Sequence, residues 1–480
     1  MPEDAGQHAQ HPSRRRPLDP DPETMRRIGY DLIDRLVAHA TSLSEQPVAR
    51  RGSGPELMSL VDESMPISGH SIEHCLDFFF EQVVPGMTRV NHPRFHAYIP
   101  APSSFAGTVG EMLAAGTNPF VGSWLGGATV SALEMTVLRW IREMLECPGL
   151  AAGILTSGGS MANLVSLAAA RQRYGRRVLE QGVVYVSAEG HASMTKAAQI
   201  LGFTRQVIQV IEVDGACRMR ADRLAEQIAI DRAGGRLPFF VSANAGTTNT
   251  GAIDPLSELA ELCQRSELWF HVDAAYGGFA AILPGIRKRM AGLERADSIT
   301  MDPHKWLYCP MGVGCVLIRD ADNLEAAFSA EGHYLKDLPV DEINFLNRGP
   351  ELSRPARVLS AWMVIRSVGL EGLQYQVEED LRLARLAAQL LCEDDRLEVS
   401  QPELSIVPFR HRLQPGESEP DRARRDIELM EATLASGDLM LSTTRLGETS
   451  TLRLVVMNHR TGDDDVIRSV NRIRSLVVGR

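Results

Sequence analysis

The stretch LWFHVDAAYGG, residues 268–278, joins an apolar run to an aspartate, two alanines, a tyrosine and a pair of glycines. A strand with so little polar alternation must hide both faces, which is the habit of strands in a parallel sheet covered by helices. The same pattern recurs outward from it. GILTS (153–157), VVYVSA (183–188), VIQVI (207–211), FFVSAN (239–244) and GVGCVLI (312–318) are short β-branched or aromatic runs separated by helical segments. That alternation predicts crossover units and an α/β fold built on a mostly parallel sheet. Beyond residue 355 a long amphipathic stretch leads to strand-like LSIVPFR (404–410) and TLRLVVMN (451–458), and then to helix-like DDDVIRSVNRIRSLVV (463–478). A smaller α+β domain is expected there.

Residues 1–20 carry Pro, His, Gln and Arg with almost nothing apolar, and predict a disordered tail. Asp21 is a candidate helix cap with Pro22 behind it, and Met25, Ile28, Leu32, Leu36 and Val37 follow at helical spacing. A second helix is expected at SIEHCLDFFFEQVV (71–84), whose apolar excess calls for a partner surface, such as a second copy of the chain. The expected organisation is a tail (1–20), an N-terminal helical segment for dimerisation (21–95), a large ligand-binding domain (96–370) and a small C-terminal domain (371–480).

The chain has 480 residues, 44% hydrophobic and 23% charged, enough for a large core. Its formal net charge of -11, with no basic run longer than Arg14–Arg16, argues against nucleic acid or an anionic membrane as partner. No apolar run reaches the ~18–20 residues of a membrane span and the N-terminus lacks a signal-peptide core, so a cytoplasmic location is expected. Seven scattered cysteines without a CxxC pair suggest buried thiols rather than disulfides or zinc. His70/His74 and His92/His96 have the i, i+4 spacing of metal ligands, but no HExxH pattern accompanies them and no metal is expected.

In an open parallel sheet, ligands sit beyond the carboxyl ends of the strands, so the residues after each run matter. GILT is followed by SGGSMANL (157–164), where glycines permit close backbone approach and a helix start favours an anion such as phosphate. VVYVSA leads to His191, a flat ring that could cover a flat ligand, although a capping role is the plainer reading. FFVSAN leads to the hydroxyls of Thr247 and Thr248, and LWFHV to Asp273, which would either cap a helix or pair with a cationic nitrogen. In ITMDPHKWLYCPMG (299–312), Lys305 stands in an apolar setting where a charged amine is costly. Its side chain either snorkels to water or bonds to something. An amine for an aldehyde, a carboxylate for a ring nitrogen and a helix start for a phosphate together match pyridoxal 5'-phosphate.

With those residues on the page, the chain resembles the pyridoxal-phosphate-dependent group II amino-acid decarboxylases, the family of aromatic-L-amino-acid, histidine and glutamate decarboxylases. HPRFHAYIPAPSS (92–104), SGGSMANL, GHAS (190–193), GTT (246–248), HVDAAYGG (271–278), DPHKW (302–306) and HYLKD (333–337) carry the resemblance, in matching order and spacing from Pro22 on. It implies a fold-type I enzyme whose Lys305 holds the cofactor as an imine, with Asp273 at the pyridine nitrogen, His191 stacked on the ring and Ala275 against the other face. Gly159, Ser160 and His304 would hold the phosphate, and Thr248 would lie near the ring's polar edge. The resemblance also makes Tyr334 the loop residue that protonates Cα, reaching the neighbouring subunit of a homodimer. Relatives with phenylalanine there tend toward aldehyde formation.

Tyr98, Ile99 and Pro100 resemble the substrate wall of the aromatic-acid enzymes and with Phe120 and Trp124 suggest an apolar, flat-sided pocket, so decarboxylation of an aromatic L-amino acid is the expected activity. Glutamate, histidine or a branched aliphatic acid are the alternatives, with an aminotransferase or a non-catalytic relative behind them. Four positions depart from the family pattern. Asp302 stands where many animal relatives have asparagine near the phosphate, Ser360 replaces a lysine beside Trp362, and Phe120 and Gly122 stand where the aromatic-acid enzymes tend to carry an aliphatic and an aromatic side chain, which puts the pocket's size in doubt. Arg354 is the candidate cation should the substrate be glutamate.

Overall fold

A computed structural model describes residues 18–50, 52–329, 342–447 and 449–477. The expected tail lies outside these residues up to position 17. The chain divides into two compact units, one from residues 1–46 and 50–88, the other from 47–49 and 89–480.

The first unit is helical. Pro22–Thr41 begins where Asp21 accepts the N–H groups of Glu23 and Thr24, a cap that satisfies donors the helix itself cannot. Gly54–Val61 starts on a capping box between Ser53 and Glu56. Ile72–Phe78 starts on Ser71 and runs into a wider turn over Phe79–Val83, which shortens the long helix expected there. None of the three helices has a buried residue.

The second unit is built on a seven-stranded sheet. Its strands are β1 (Ala152–Thr156), β2 (Gly182–Ser187), β3 (Ile208–Ile211), β4 (Leu237–Asn244), β5 (Trp269–Asp273), β6 (Ser298–Met301) and β7 (Gly314–Ile318), in the order β1-β7-β6-β5-β4-β2-β3. β2 through β6 pair in parallel, and β7 runs antiparallel between β1 and β6. β1, β2, β5, β6 and β7 are buried along their whole length, which is why their sequences do not alternate. Helix Gly159–Tyr174 crosses the sheet after β1, and its small residues Ala162, Ala168, Ala169 and Ala170 let it lie close. The core concentrates aromatic bulk in Trp269, Phe239, Phe240, Phe270 and Phe279.

A helical stretch, Val358–Cys392, leads out of this layer and breaks at Gly369, whose φ of 71° a side chain would resist. Its second half covers a four-stranded antiparallel sheet of β8 (Leu397–Val399), β9 (Ile406–His411), β10 (Ser442–Leu446) and β11 (Thr449–Val455), ordered β10-β11-β9-β8. Helices Glu419–Ser436 and Asp463–Leu476 close that smaller core. No described helix is long and apolar enough to cross a membrane.

Candidate active site

The carboxyl ends of β1, β4, β5 and β6, and the turn after β2, converge on a cavity of about 250 Å³. Gly159, Ser160, His191, Thr248, Asp273, Ala275, His304 and Lys305 all line it. Parallel pairing brings them together, since Asp273 lies opposite Asn244 in register and β6 delivers the DPHK turn one strand over.

At one end, helix Gly159–Tyr174 opens without a side-chain cap, so first-turn N–H groups are left for a ligand. The approach is tight. Gly158 has φ 141°, a Cβ on Gly314 would lie 2.4 Å from the Gly158 Cα, and a Cβ on Gly159 would lie 3.0 Å from Asp302 Oδ2 and 3.1 Å from the Ala275 Cβ. Each hydrogen stands where a methyl group would crowd the floor of the cup. His304 donates Nδ1–H to the Val313 carbonyl at 2.8 Å, which fixes its ring beside this cup.

At the other end the polar groups form one matched chain. Trp269 donates to Ser298 Oγ (2.8 Å), Ser298 donates to His271 Nδ1 (2.8 Å), and His271 donates from Nε2 to Asn163 Oδ1 (3.1 Å). Asn163 Nδ2 then donates to Asp273 Oδ2 at 2.8 Å and to Ser193 Oγ at 2.9 Å, and Ser193 passes its own hydrogen to His191 Nδ1 at 2.8 Å. The Ser193 backbone N–H also points at His191 Nδ1, so that nitrogen accepts and the ring proton sits on Nε2. Burial pulls His271 down to about 4, so this link stays neutral at physiological pH. Asp273 takes its other bond from the Ala275 N–H, at 3.1 Å on Oδ1. The carboxylate and the imidazole that face the cavity are thus oriented through a single buried amide.

Lys305 projects from the turn after β6, its Nζ 3.0 Å from Asp302 Oδ2. The turn is anchored from below. Trp306 Nε1 and Tyr308 Oη both donate to Asp380 Oδ2, at 3.0 and 2.6 Å, and Trp306 stacks on Tyr276 with ring centroids 4.9 Å apart. Burial pushes Asp380 up to about 7 despite these bonds.

A model of the pyridoxal-dependent decarboxylase conserved domain matches residues 55–412. The chain belongs to that family. It is 37% identical to an aromatic-L-amino-acid decarboxylase of Bacillus atrophaeus over 460 residues, 95% of each chain. It is 35% identical to tyrosine decarboxylase 2 of Narcissus pseudonarcissus, over 91% of this chain and 90% of that one. Among solved structures, the Oryza sativa TDC with PLP and tryptamine superposes with a TM-score of 0.91 at 28% identity, covering 96% of this chain and 98% of that one. The enzyme is therefore a pyridoxal-phosphate-dependent amino-acid decarboxylase.

The cavity fits the cofactor. A cup whose glycines leave no room for a Cβ, below uncapped N–H groups, suits a phosphate; Asp273 suits a ring nitrogen, and the Lys305 amine an aldehyde.

Of the other residues read from the sequence, Tyr334 is outside the described residues. Tyr98 is exposed, with φ 56°, and its N–H donates to Ser442 Oγ at 3.0 Å; Ile99 is half-buried and Pro100 buried. Phe120 does not line the cavity, and its ring lies over Gly122 and Gly126, where a Cβ would come within 2.6 Å of Cζ and 2.3 Å of Cδ1. The space beside Gly122 is therefore taken by the Leu352 carbonyl and the Phe120 ring. Arg354 is not a free cation. It is fully buried, forms a paired bond with Glu134 (2.8 and 3.2 Å), and donates to the carbonyls of Val121 and Leu155. Ser360 lies where Gly110 of helix Phe105–Thr117 packs against the backbone, a Cβ there falling 2.5 Å from the Ser360 Cα, and it donates to Glu111 at 2.8 Å.

Arg453 was not legible as a site residue. It is buried on β11, donates to the Thr248 carbonyl and, at 3.1 Å, to Ser442 Oγ. The signal was present as one arginine within the apolar run TLRLVV.

Proposed function

We propose that the enzyme removes the α-carboxylate of an aromatic L-amino acid as carbon dioxide, releases the amine, and works as a homodimer. The observation that carries the substrate class is the link from Thr248 at the cavity through Arg453 and Ser442 to Tyr98. It ties the backbone of the Tyr98–Ile99–Pro100 segment to Thr248, which lines the cavity, and supports a largely apolar wall beside it. With Arg354 engaged by Glu134, the cation suggested for a distal carboxylate is removed from consideration. The relatives named above act on aromatic substrates by name.

Pyridoxal 5'-phosphate supplies, when bound, a ring that can accept the electron pair left by carbon dioxide. Lys305 would hold it, Gly159, Ser160 and His304 would bind its phosphate, and Ala275 would pack on one ring face. Asp273, oriented by Asn163 and Ala275, would keep a proton at the ring nitrogen, and His191, its ring fixed by Ser193, would cover the ring's other face. Tyr334 returns a proton to Cα. For the homodimer, Phe105, Leu113, Leu125 and Leu352 are exposed apolar side chains on the second unit, and Tyr30, Met58 and Phe78 on the first.

The test is to incubate the protein and pyridoxal 5'-phosphate with each amino acid, including dihydroxyphenylalanine, and follow amine and carbon dioxide by mass spectrometry. Amines from tyrosine, tryptophan, phenylalanine or dihydroxyphenylalanine are expected. Turnover of glutamate or branched aliphatic acids alone would overturn the substrate class, and a single-subunit mass in solution would overturn the dimer.

A further inference from the structure

Asp302 follows β6 directly and is almost buried, a carboxylate in a cup suited to an anion. Its two oxygens differ. Oδ2 lies 3.0 Å from Lys305 Nζ and 3.7 Å from His304 Nε2, while Oδ1 is buried without a hydrogen-bond partner. Both face the first residue of helix Gly159–Tyr174, a Cβ on Gly159 falling 3.0 Å from Oδ2 and 3.4 Å from Oδ1. An unpaired carboxylate oxygen at such a place is costly to keep, and asparagine would fill the same volume without the charge.

We propose that Asp302 is the counter-ion of Lys305 in the cofactor-free enzyme and an electrostatic check on the phosphate cup. It holds the amine over the floor of the site and opposes any phosphate that enters, so phosphate and Asp302 compete for Lys305 and His304. Phosphate alone is then a weak ligand, and tight binding requires the rest of the cofactor. This inference rests on assigning the cup to the cofactor's phosphate.

The experiment measures binding to the cofactor-free enzyme by calorimetry with three probes: inorganic phosphate, 4'-deoxypyridoxine 5'-phosphate, which lacks the aldehyde, and unphosphorylated 4'-deoxypyridoxine. Asp302→Asn should tighten both phosphate-bearing probes by about tenfold, the scale of removing one partly screened like charge, and leave the third within about twofold. Lys305→Gln should weaken inorganic phosphate, and Lys305→Gln with Asp302→Asn should restore it, a cycle that isolates the pair. Unchanged or weaker phosphate binding in Asp302→Asn, or equal tightening of all three probes, would overturn the proposal. If Asp302→Asn binds the two pyridoxine probes alike, the cup assignment itself fails. Should Asp302→Asn not fold, Asp302→Ser gives the same comparison with the same expected sign.

Discussion

Replacing Asn163 by leucine tests whether one amide organises the reactive end of the cavity. The side chains are similar in volume, but leucine breaks three buried bonds: Asn163 to Asp273, Asn163 to Ser193, and His271 to Asn163. The Asp273 bond is to a charged group and is worth roughly 1.5–3 kcal/mol, while the stranded His271 N–H costs roughly 1–3 kcal/mol because burial keeps that ring neutral and unsolvated. Ser193 keeps His191 as a partner, so its share is smaller. The expected loss is about 3–5 kcal/mol in urea unfolding of the cofactor-free protein. Activity should fall beyond what stability explains, since Asp273 retains only the Ala275 N–H and His191 loses its braced serine. A drop in kcat/KM on the order of 10- to 100-fold corresponds to about 1.4–2.7 kcal/mol of lost orientation. Asn163→Asp sharpens the test. An acceptor-only carboxylate would then face Asp273 across 2.8 Å, so this variant should be less stable at pH 8 than at pH 5, where one shared proton restores an O–H···O bond. Asn163→Leu within 1 kcal/mol of wild type and within threefold in kcat/KM would refute the reasoning.

Burial raises Asp380 to about 7, above its unfolded value, so the folded state binds this proton more readily and stability from this group grows as pH falls through 7 toward 4. Asp380→Asn should remove about 2–3 kcal/mol of the stability difference between pH 5 and pH 8, read as wild type minus variant in urea titrations; parallel profiles would contradict it. Gly126→Ala should destabilise wild type by about 1–3 kcal/mol, because its Cβ falls 2.3 Å from Phe120 Cδ1, and should cost much less in a Phe120→Ala background; additive effects would show that the ring is elsewhere. Glu134→Gln should cost about 3–5 kcal/mol in thermal or urea unfolding by leaving the Arg354 charge unpaired, without creating activity on glutamate.

The parts of this enzyme legible in the sequence share a property: their meaning is local. Asp273 follows a recognisable apolar run and the Gly-Ser turn sits between a strand and a helix, so a strand-end rule finds them, while Lys305 shows as a lone amine among apolar neighbours. β6 escaped notice because it has only four residues and pairs on both sides, needing no alternation. Asn163 reads as a helix-opening residue, and its role appears only when Asp273, 110 positions away, and His271, 108 away, arrive beside it. Arg354 was open to the opposite error. A lone arginine reads as a cation for a ligand, and only the fold shows Glu134, 220 positions away, already bound to it. Gly122 put the pocket's size in doubt because a missing side chain is visible in a sequence, while the Leu352 carbonyl and Phe120 ring that occupy its place are not.

The two ends of the cavity are built on opposite principles, and the contrast bears on how the site binds. Around Asp273 and His191 the donors meet acceptors from Trp269 to Ser193, so both side chains are fixed before any ligand arrives. At the cup the helix start is uncapped and one oxygen of Asp302 has no partner. Unsatisfied buried groups persist in a folded protein only where the rest of the structure compensates, and where they cluster they mark places for a ligand to complete. Preorganisation at the ring end serves the chemistry, because orienting Asp273 during the reaction would add to the barrier. The uncapped helix start suits an anion, which can accept its free N–H groups, whereas the lone Asp302 oxygen would repel that same anion. The Asp302–Lys305 pair sits between these regimes, holding the reactive amine near the cup while leaving it exchangeable.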